Sequence, residues 1–169
     1  MSTIEEKVYD TLKKLNIEYE IYKHHQAHTM EELDEIQKQI GGIYCKNLFL
    51  RNSKGDINYL ILVNGEKKVD TKALAKTINS TRLSFNSSEK LMELMQLTPG
   101  TVGPFGLLNN EEKNIKVLLD EEIVQAKRIS FHPNNNAKTV VISYEGLIKY
   151  LEYVGNSFNV IKLEAKKIV

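Results

Sequence analysis

The sequence contains a single cysteine and no long apolar run. Because Cys45 is the only cysteine among 169 residues, no disulfide can form within the chain, which fits a reducing cytosol. No uninterrupted apolar stretch approaches the roughly 20 residues needed to cross a bilayer. The acidic, amphipathic start MSTIEEKVYD lacks the basic segment and apolar core of a signal peptide. We therefore expect a cytoplasmic protein without a membrane partner.

An excess of charge of one sign is also missing. The chain has 23 Lys and Arg against 22 Asp and Glu, which gives a formal net charge of +1. This balance excludes a basic field over the whole chain, such as many nucleic-acid binders carry, but it leaves room for a local basic patch. The length suits one domain of roughly 100–200 residues, and 41% hydrophobic residues can build a substantial core.

Several motifs that carry common chemistry are absent. The sequence has no G-x-G-x-x-G or P-loop pattern, no H-E-x-x-H and no G-x-S-x-G. His24, His25 and His28 lie close together, but no second group of ligands stands at a metal-binding spacing, so we predict neither a metal nor a cofactor. Cys45 is interpreted as a half-buried strand residue, because nothing beside it indicates the lowered pKa that a reactive thiol needs.

Periodicity and capping signals predict five helices and seven strands. Capping pairs include Ser2 with Glu5 and Thr29 with Glu32, and N-caps are expected at Asp70 or Thr71 and at Ser87 or Ser88. The helices are predicted at 2–16, 29–40, 69–79, 87–95 and 144–155. The strands are predicted at 19–22, 45–52, 57–64, 81–85, 115–120, 128–131 and 138–143, with a short helix or turn at 121–126.

The order of these elements indicates the fold class. Helices and strands alternate irregularly, and strands often arrive as hairpins, which favours a mixed α+β domain over a doubly wound parallel sheet. We expect a central, mostly antiparallel sheet flanked by helices. The prediction is one domain over 1–169, with a core at about 4–153 and a C-terminal tail at 156–169.

Three short segments have the composition of a binding site, although each also has a plain structural explanation. Lys46 and Asn47 stand in an apolar strand, where the lysine either extends to the rim or presents its ammonium in a cleft. The loop 98–106 combines three glycines with two prolines, which suits backbone recognition of a carbonyl or oxyanion but also a plain connector. His132 begins HPNNN directly before a strand, where a simple Asx-type turn is the alternative.

Taken together and in order, the three segments resemble a known family. CKNLFL, LTPGTVGPFGLLN and FHPNNNAKTVVIS are similar to segments of the prolyl-tRNA editing family, the YbaK/prolyl-tRNA-synthetase-associated domain, over about residues 4–153. The family's G-x-x-x-P pattern occurs here as Gly100 to Pro104. FHPNNNAKT looks most like the free-standing Ala-tRNA(Pro) deacylases of the ProX/PrdX type.

The resemblance implies a trans-acting hydrolase of the ester in mischarged Ala-tRNA(Pro), with proline excluded by size. It implies that Lys46 holds the terminal adenosine, that Gly100 and its neighbours donate backbone N–H groups to the aminoacyl carbonyl, and that His132 lines the aminoacyl pocket. The resemblance also implies that water is the nucleophile and that no cofactor is needed. The remaining substrate-binding candidates are Asn47, Thr101, Val102, Gly103, Pro104, Ile43, Tyr44, Phe105 and His28.

The implied partners are the acceptor end of tRNA(Pro) and prolyl-tRNA synthetase, with the protein acting as a monomer or homodimer. Two alternatives remain open: a deacylase of another small mischarged aminoacyl-tRNA, such as Cys-tRNA(Pro) or Ser-tRNA, and a non-catalytic module that binds aminoacyl-tRNA or an amino acid. A set of basic residues is either a phosphate-contacting surface or ordinary solvated surface. They are Lys23, Lys67, Lys68, Lys72, Lys76, Lys127 and Arg128.

Overall fold

The computed structural model describes residues 3–24, 30–134 and 137–164. Its helices are α1 (Ile4–Lys14), α2 (Met30–Ile40), α3 (Thr71–Thr77), α4 (Ser88–Met95) and α5 (Tyr144–Val154). Short 3₁₀ segments occur at Pro99–Thr101, Pro104–Asn109 and Glu121–Ile123. The strands are β1 (Glu20–Lys23), β2 (Ile43–Arg51), β3 (Asn58–Asn64), β4 (Ser84–Phe85), β5 (Ile115–Asp120), β6 (Ile129–Phe131), β7 (Lys138–Ile142) and β8 (Phe158–Ile161).

Within the described residues, the eight strands form one mixed sheet. Its order is β1–β7–β6–β2–β3–β5–β8, and β4 pairs with the end of β2. The pairs β1–β7, β6–β7, β2–β3 and β2–β4 are antiparallel, whereas β2–β6, β3–β5 and β5–β8 are parallel. The predicted class, a mixed α/β domain with a central sheet flanked by helices, is confirmed, and antiparallel pairs hold only a small majority.

Local sequence signals account for most helix starts. The Asp70 carboxylate accepts from the main-chain N–H groups of the first turn of α3, and Ser87 caps α4 in the same way. In α1 the capping box is formed by Thr3 and Glu6, one residue later than the predicted Ser2 and Glu5, because the same spacing of hydroxyl and carboxylate recurs there. The predicted cap at Thr29 lies outside the described residues.

The sheet is covered by helices on both faces, and each face has its own core. The larger core packs α1, α4 and α5 against one face, which we call the α5 face, through residues such as Leu12, Met95 and Tyr150. The opposite face, called the α3 face, is covered by α3 near β3 and by α2 near β7, with Leu74 and Ile36 among the buried residues. No described helix is long and apolar enough to span a membrane.

Two predicted boundaries are wrong. Residues 158–161, predicted as part of a loose tail, form strand β8, whose partner is β5 in parallel register. The strand predicted at 81–85 is only two residues long, because just Ser84 and Phe85 pair with β2. In both cases pairing with a distant strand, rather than the local pattern, decides the outcome.

Candidate active site

The edge of β2 that faces β6 and β4 is interrupted in its middle. On this side β6 pairs with Ile43 and Tyr44, and β4 pairs with Leu50 and Arg51. Among the described residues, no strand borders 45–49 between them, although β3 pairs with the other edge throughout. We call this opening the β2 gap. A ligand in the β2 gap can reach side chains on both faces of β2.

The Gly- and Pro-rich loop lies against the β2 gap. A Cβ atom placed on Gly103 would lie 3.7 Å from Nδ2 of Asn47 and 4.0 Å from the carbonyl oxygen of His132. Gly103 therefore lies within van der Waals range of one residue from each of the other two segments singled out in the sequence. The structure brings together Asn47, the loop and the main chain of His132.

The loop is anchored in the core at one end and open at the other. Phe105 is fully buried, with its ring centroid 5.9 Å from that of Phe131 and 5.3 Å from that of Tyr150. The Tyr150 hydroxyl also donates to the carbonyl of Pro104 at 2.7 Å. Phe105 therefore holds the loop in place and forms no wall of an open site, which corrects its prediction as a pocket residue. Gly100, at the other end, is exposed.

The remaining loop residues connect these two ends. The main-chain N–H of Thr101 donates to the carbonyl of Thr98 at 2.9 Å, and the Thr101 hydroxyl donates to the same carbonyl at 3.1 Å. These bonds close the first 3₁₀ turn around Gly100 and leave Val102 half-buried at the opening. The first turn is thus organised by local bonds, while Gly100 presents its main chain to solvent.

His132 and Tyr44 meet on the α3 face. Their ring centroids are 6.4 Å apart in an edge-on arrangement, and the ring of His24 lies 6.3 Å from His132. His24 in turn shares a 2.8 Å hydrogen bond with the hydroxyl of Thr139. Ile43, the neighbour of Tyr44, packs against the core of the α5 face. Of these two predicted wall residues, only Tyr44 faces His132.

The surroundings of His132 favour its neutral form. Nδ1 lies 2.9 Å from the carbonyl oxygen of Lys138, and because a carbonyl can only accept, Nδ1 carries the proton. Burial lowers the pKa of His132 below its usual value, and the nearby His24 adds to this, while the bond to the Lys138 carbonyl opposes it. At neutral pH, Nε2 of His132 is therefore a hydrogen-bond acceptor.

Lys46 lies on the α3 face, opposite Asn47. The register of β2 with β3 is continuous, so side chains alternate strictly and Lys46 shares its face with Leu48 and Leu50. Its ammonium donates to the carbonyl of Lys67 at 2.8 Å, and its described polar contacts do not include the loop 98–106. The structure thus places Lys46 on the face that carries Tyr44 and His132, whereas Asn47 projects from the other face toward Gly103.

The half-buried position of Lys46 affects its charge. Burial lowers the pKa of its ammonium, and the positive charge of Lys68 lowers it further. Two cations close to one another indicate a site that favours an anion. Lys68 was predicted only as one of several surface cations, and its closeness to Lys46 comes from the turn that follows β3.

A buried ion pair holds the turn that supplies the Lys67 carbonyl. The Lys67 ammonium contacts the fully buried carboxylate of Asp120 at 3.1 Å, the carbonyl of Leu163 at 2.8 Å and the carboxylate of Glu122. Asp120 also accepts from the main-chain N–H of Asn64 at 3.2 Å. These contacts fix the position of the Lys67 carbonyl, which in turn orients the Lys46 side chain.

A cleft opens on the α5 face beside the β2 gap. Its volume is about 200 Å³. The residues that line it are Asn47, Phe49, Phe85, Asn86, Ser87, Ser88, Leu91, Pro99 and Val102. Sequence reasoning found Asn47 and Val102 but missed Phe85 and Asn86, because they sit at the junction of β4 and α4, where the strand and capping signals say nothing about a cleft.

Other candidate groups carry no chemistry in this structure. Cys45 is buried, and burial raises the pKa of its thiol, so it is not a nucleophile. Within the described ranges, no group of three or more His, Cys, Asp or Glu residues is arranged to hold a metal ion. His28, a predicted substrate-binding residue, lies outside the described residues.

Two sequence comparisons match this chain to known proteins. The profile of the aminoacyl-tRNA editing domain matches residues 24–150. The chain is 40% identical over 152 residues to the prolyl-tRNA editing protein ProX of Acetoanaerobium sticklandii, covering 90% of this chain and 93% of that protein. It is 28% identical to prolyl-tRNA synthetase associated domain-containing protein 1 of Danio rerio, covering 83% of this chain and 77% of that protein.

The fold is also found among solved structures. A crystal structure described as that of a candidate trans-editing enzyme for prolyl-tRNA synthetase superposes with a TM-score of 0.73 at 16% identity, covering 98% of this chain and 99% of that chain. Such a likeness shows the fold alone, while the profile match and the 40% identity show the family. This protein belongs to the aminoacyl-tRNA editing domain family.

Proposed function

We propose that this protein is a trans-acting deacylase that hydrolyses mischarged Ala-tRNA(Pro). The observation that carries the proposal is the β2 gap, where a glycine-rich loop, an amide side chain and the main chain of a neutral histidine adjoin one another. The thiol of Cys45, the one cysteine of the chain, is buried with a raised pKa, which favours water as the nucleophile. The relative named as a prolyl-tRNA editing protein supports tRNA(Pro) as the carrier.

The reaction is the hydrolysis of an ester. Water adds to the aminoacyl carbonyl carbon, the bond to the ribose oxygen breaks, and that oxygen leaves with a proton, so the products are free alanine and tRNA. We assign to Gly100 and its neighbours the donation of main-chain N–H groups to the carbonyl oxygen, whose negative charge grows in the transition state. The exposure of Gly100 supports this role.

Side chains bind the remaining parts of the substrate. The Lys46 ammonium, with Lys68 beside it, holds the terminal phosphate, and Asn47 bonds the ribose from the other face of β2. His132 presents the Nε2 lone pair to the α-ammonium or to the attacking water. This division needs a substrate that passes over the edge of β2 through the β2 gap, since Lys46 and Asn47 project from opposite faces.

Selection of alanine follows from size. A synthetase pocket built for proline cannot strongly reject a smaller side chain, and a second, smaller pocket removes what the first one admits. Tyr44 and His132 form the described part of the wall that would set this limit. A shift of one wall residue would admit serine or cysteine, so Cys-tRNA(Pro) or Ser-tRNA is the second candidate substrate. The cytoplasm, where charged tRNA is used, is the proposed place of action, with prolyl-tRNA synthetase as the proposed partner.

A deacylation time course tests the proposal. Purified protein is mixed with Ala-, Ser-, Cys- and Pro-tRNA(Pro), and the remaining ester is measured against the spontaneous rate. We expect rapid loss of alanine, sparing of proline, and little activity in Lys46→Ala. The exposed strand lysine Lys116 provides a matched control, Lys116→Ala, that should retain full activity.

Two other outcomes would favour a different substrate or a binding role. Faster loss of cysteine or serine than of alanine would keep the deacylase and change its substrate. Binding of charged tRNA without hydrolysis would replace the enzyme by a binding module.

A further inference from the structure

Phe85 is held in an exposed position at the rim of the cleft on the α5 face. The residue is 64% exposed, although it belongs to a strand paired with β2. Leu83, two residues earlier, packs into the core of the α3 face, whereas Phe85 stays outside that core and lines the cleft. An aromatic ring kept in water at a cleft suggests a binding surface rather than a packing element.

The main chain that follows Phe85 is fixed by hydrogen bonds. The N–H of Asn86 donates to the carbonyl of Phe49 at 3.0 Å, and the Asn86 amide donates to the carbonyl of Leu50 and to Oδ1 of Asn58, each at 3.1 Å. The next residue, Ser87, caps α4. Phe85 is therefore a preorganised platform, which lowers the entropy cost of binding a flat ligand against it.

The chemistry of the cleft selects the class of ligand. Among the described residues, those that line it carry no charge: they are apolar, amide or hydroxyl side chains. A phosphate or an α-ammonium would therefore find no counter-charge inside. A nucleobase fits, because its faces stack on aromatic rings and its edges bond to amides and hydroxyls.

We propose that this cleft binds the terminal nucleobase of the tRNA acceptor end, with Phe85 as its stacking platform. The inference rests on the proposed function and extends it to the part of the substrate that the reaction leaves unchanged. Asn47 lies in the β2 gap beside Gly103 and also lines the cleft, together with Val102, the residue before Gly103. The base and the ester oxygen belong to one nucleoside, so a base in the cleft places its ribose at the β2 gap.

The alanine side chain is a poorer occupant of the same cleft. A methyl group would leave most of the volume of about 200 Å³ empty, whereas a purine ring fills a large part of it. The cleft would also not exclude proline, because it is far larger than either side chain. We therefore assign the size exclusion of proline to the α3 face and the binding of the base to the cleft.

Fluorescence of a modified acceptor end tests the proposal. An uncharged tRNA(Pro) acceptor-stem hairpin is made with 2-aminopurine in place of its terminal adenine, since stacking quenches the fluorescence of this base. Wild-type protein should quench it, Phe85→Ala should not, and Phe85→Trp should restore the effect. Met92→Ala removes another exposed apolar side chain, 49% exposed on α4 and outside the cleft lining, and should behave as wild type.

Steady-state kinetics on Ala-tRNA(Pro) give a second readout. Stacking of one base contributes about 1–3 kcal/mol by alanine substitution, so Phe85→Ala should raise KM by about five- to 150-fold with a smaller change in kcat. Because Phe85 is exposed, the variant should fold normally, which far-UV circular dichroism verifies.

The outcomes separate this proposal from the proposed function. Active wild-type enzyme with unchanged quenching and KM in Phe85→Ala would overturn the base site alone. A changed preference for alanine over serine esters with unchanged quenching would assign the cleft to the aminoacyl side chain and overturn it as well. Inactive wild-type protein whose quenching still depends on Phe85 would support the base site while the proposed hydrolysis fails.

Discussion

Replacing Lys46 with methionine should reduce activity strongly and stability little. Methionine keeps the length and apolar stem of the side chain but removes the ammonium that we assign to the terminal phosphate. A hydrogen bond to a charged group contributes about 1.5–3 kcal/mol. Since about 1.4 kcal/mol corresponds to a factor of ten, kcat/KM should fall by about ten- to 150-fold.

The effect on folding should be small because two contributions oppose each other. The variant loses the 2.8 Å bond to the Lys67 carbonyl, which is worth about 1 kcal/mol net. It also no longer keeps a cation in a half-buried place beside Lys68, a place that lowers the pKa of Lys46. We expect the free energy of unfolding to change by no more than about 1 kcal/mol.

The assay pairs deacylation of Ala-tRNA(Pro) with urea unfolding followed by circular dichroism. Lys116→Met, at an exposed position of β5, is the matched control and should leave both quantities unchanged. Full activity in Lys46→Met would refute the assignment of the phosphate to Lys46. Equal losses of stability and activity would show that the residue acts through folding.

Three further predictions concern the surroundings of the site. Burial lowers the pKa of His132, so its ring is neutral at neutral pH. We therefore expect kcat/KM to be flat near neutral pH and to fall only at a pH lower than the usual histidine pKa of about 6.5, and His132→Gln should remove this acid limb from the pH profile. Asp120→Ala removes the buried carboxylate of an ion pair, and urea unfolding should show a loss of about 3 kcal/mol; a loss below about 1 kcal/mol would mean that the remaining contacts suffice. Gly65→Ala places a Cβ 2.6 Å from the Tyr44 ring and 2.8 Å from the Tyr44 carbonyl oxygen, so thermal unfolding should report about 1–3 kcal/mol of destabilisation. Gly103→Ala is the contrasting variant: its Cβ comes no closer than 3.7 Å to its neighbours, so the same assay should show that it is tolerated.

Helix starts and the central hairpin were predictable because their signals are local. Asp70 and Ser87 cap the helices that follow them, and Gly155, in the left-handed conformation, ends α5 as expected. The hairpin of β2 and β3 follows from two apolar runs separated by turn residues. Strand β8 was missed because residues 158–161 become a strand only through pairing with β5.

The site was predictable in its parts but not in its arrangement. Asn47, Gly103 and His132 were singled out from the sequence, and the structure places them side by side. Phe105 looked like a pocket residue because it lies in the loop next to Pro104, yet it packs against Phe131 and Tyr150, which are distant in sequence. Adjacency along the chain therefore did not indicate which side of the loop faces the core.

By itself, the sequence determined the family, the mixed α/β class and the segments that carry the site, because these depend on local patterns and on motifs in a given order. It also determined that Lys46 and Asn47 project from opposite faces, since side chains alternate along any strand. Only the tertiary structure decided that β2 has a gap in one edge, because that gap depends on where β6 stops and β4 begins to pair. The same non-local pairing places Phe85 at a cleft beside Asn47, and no pattern within residues 81–85 contains that information.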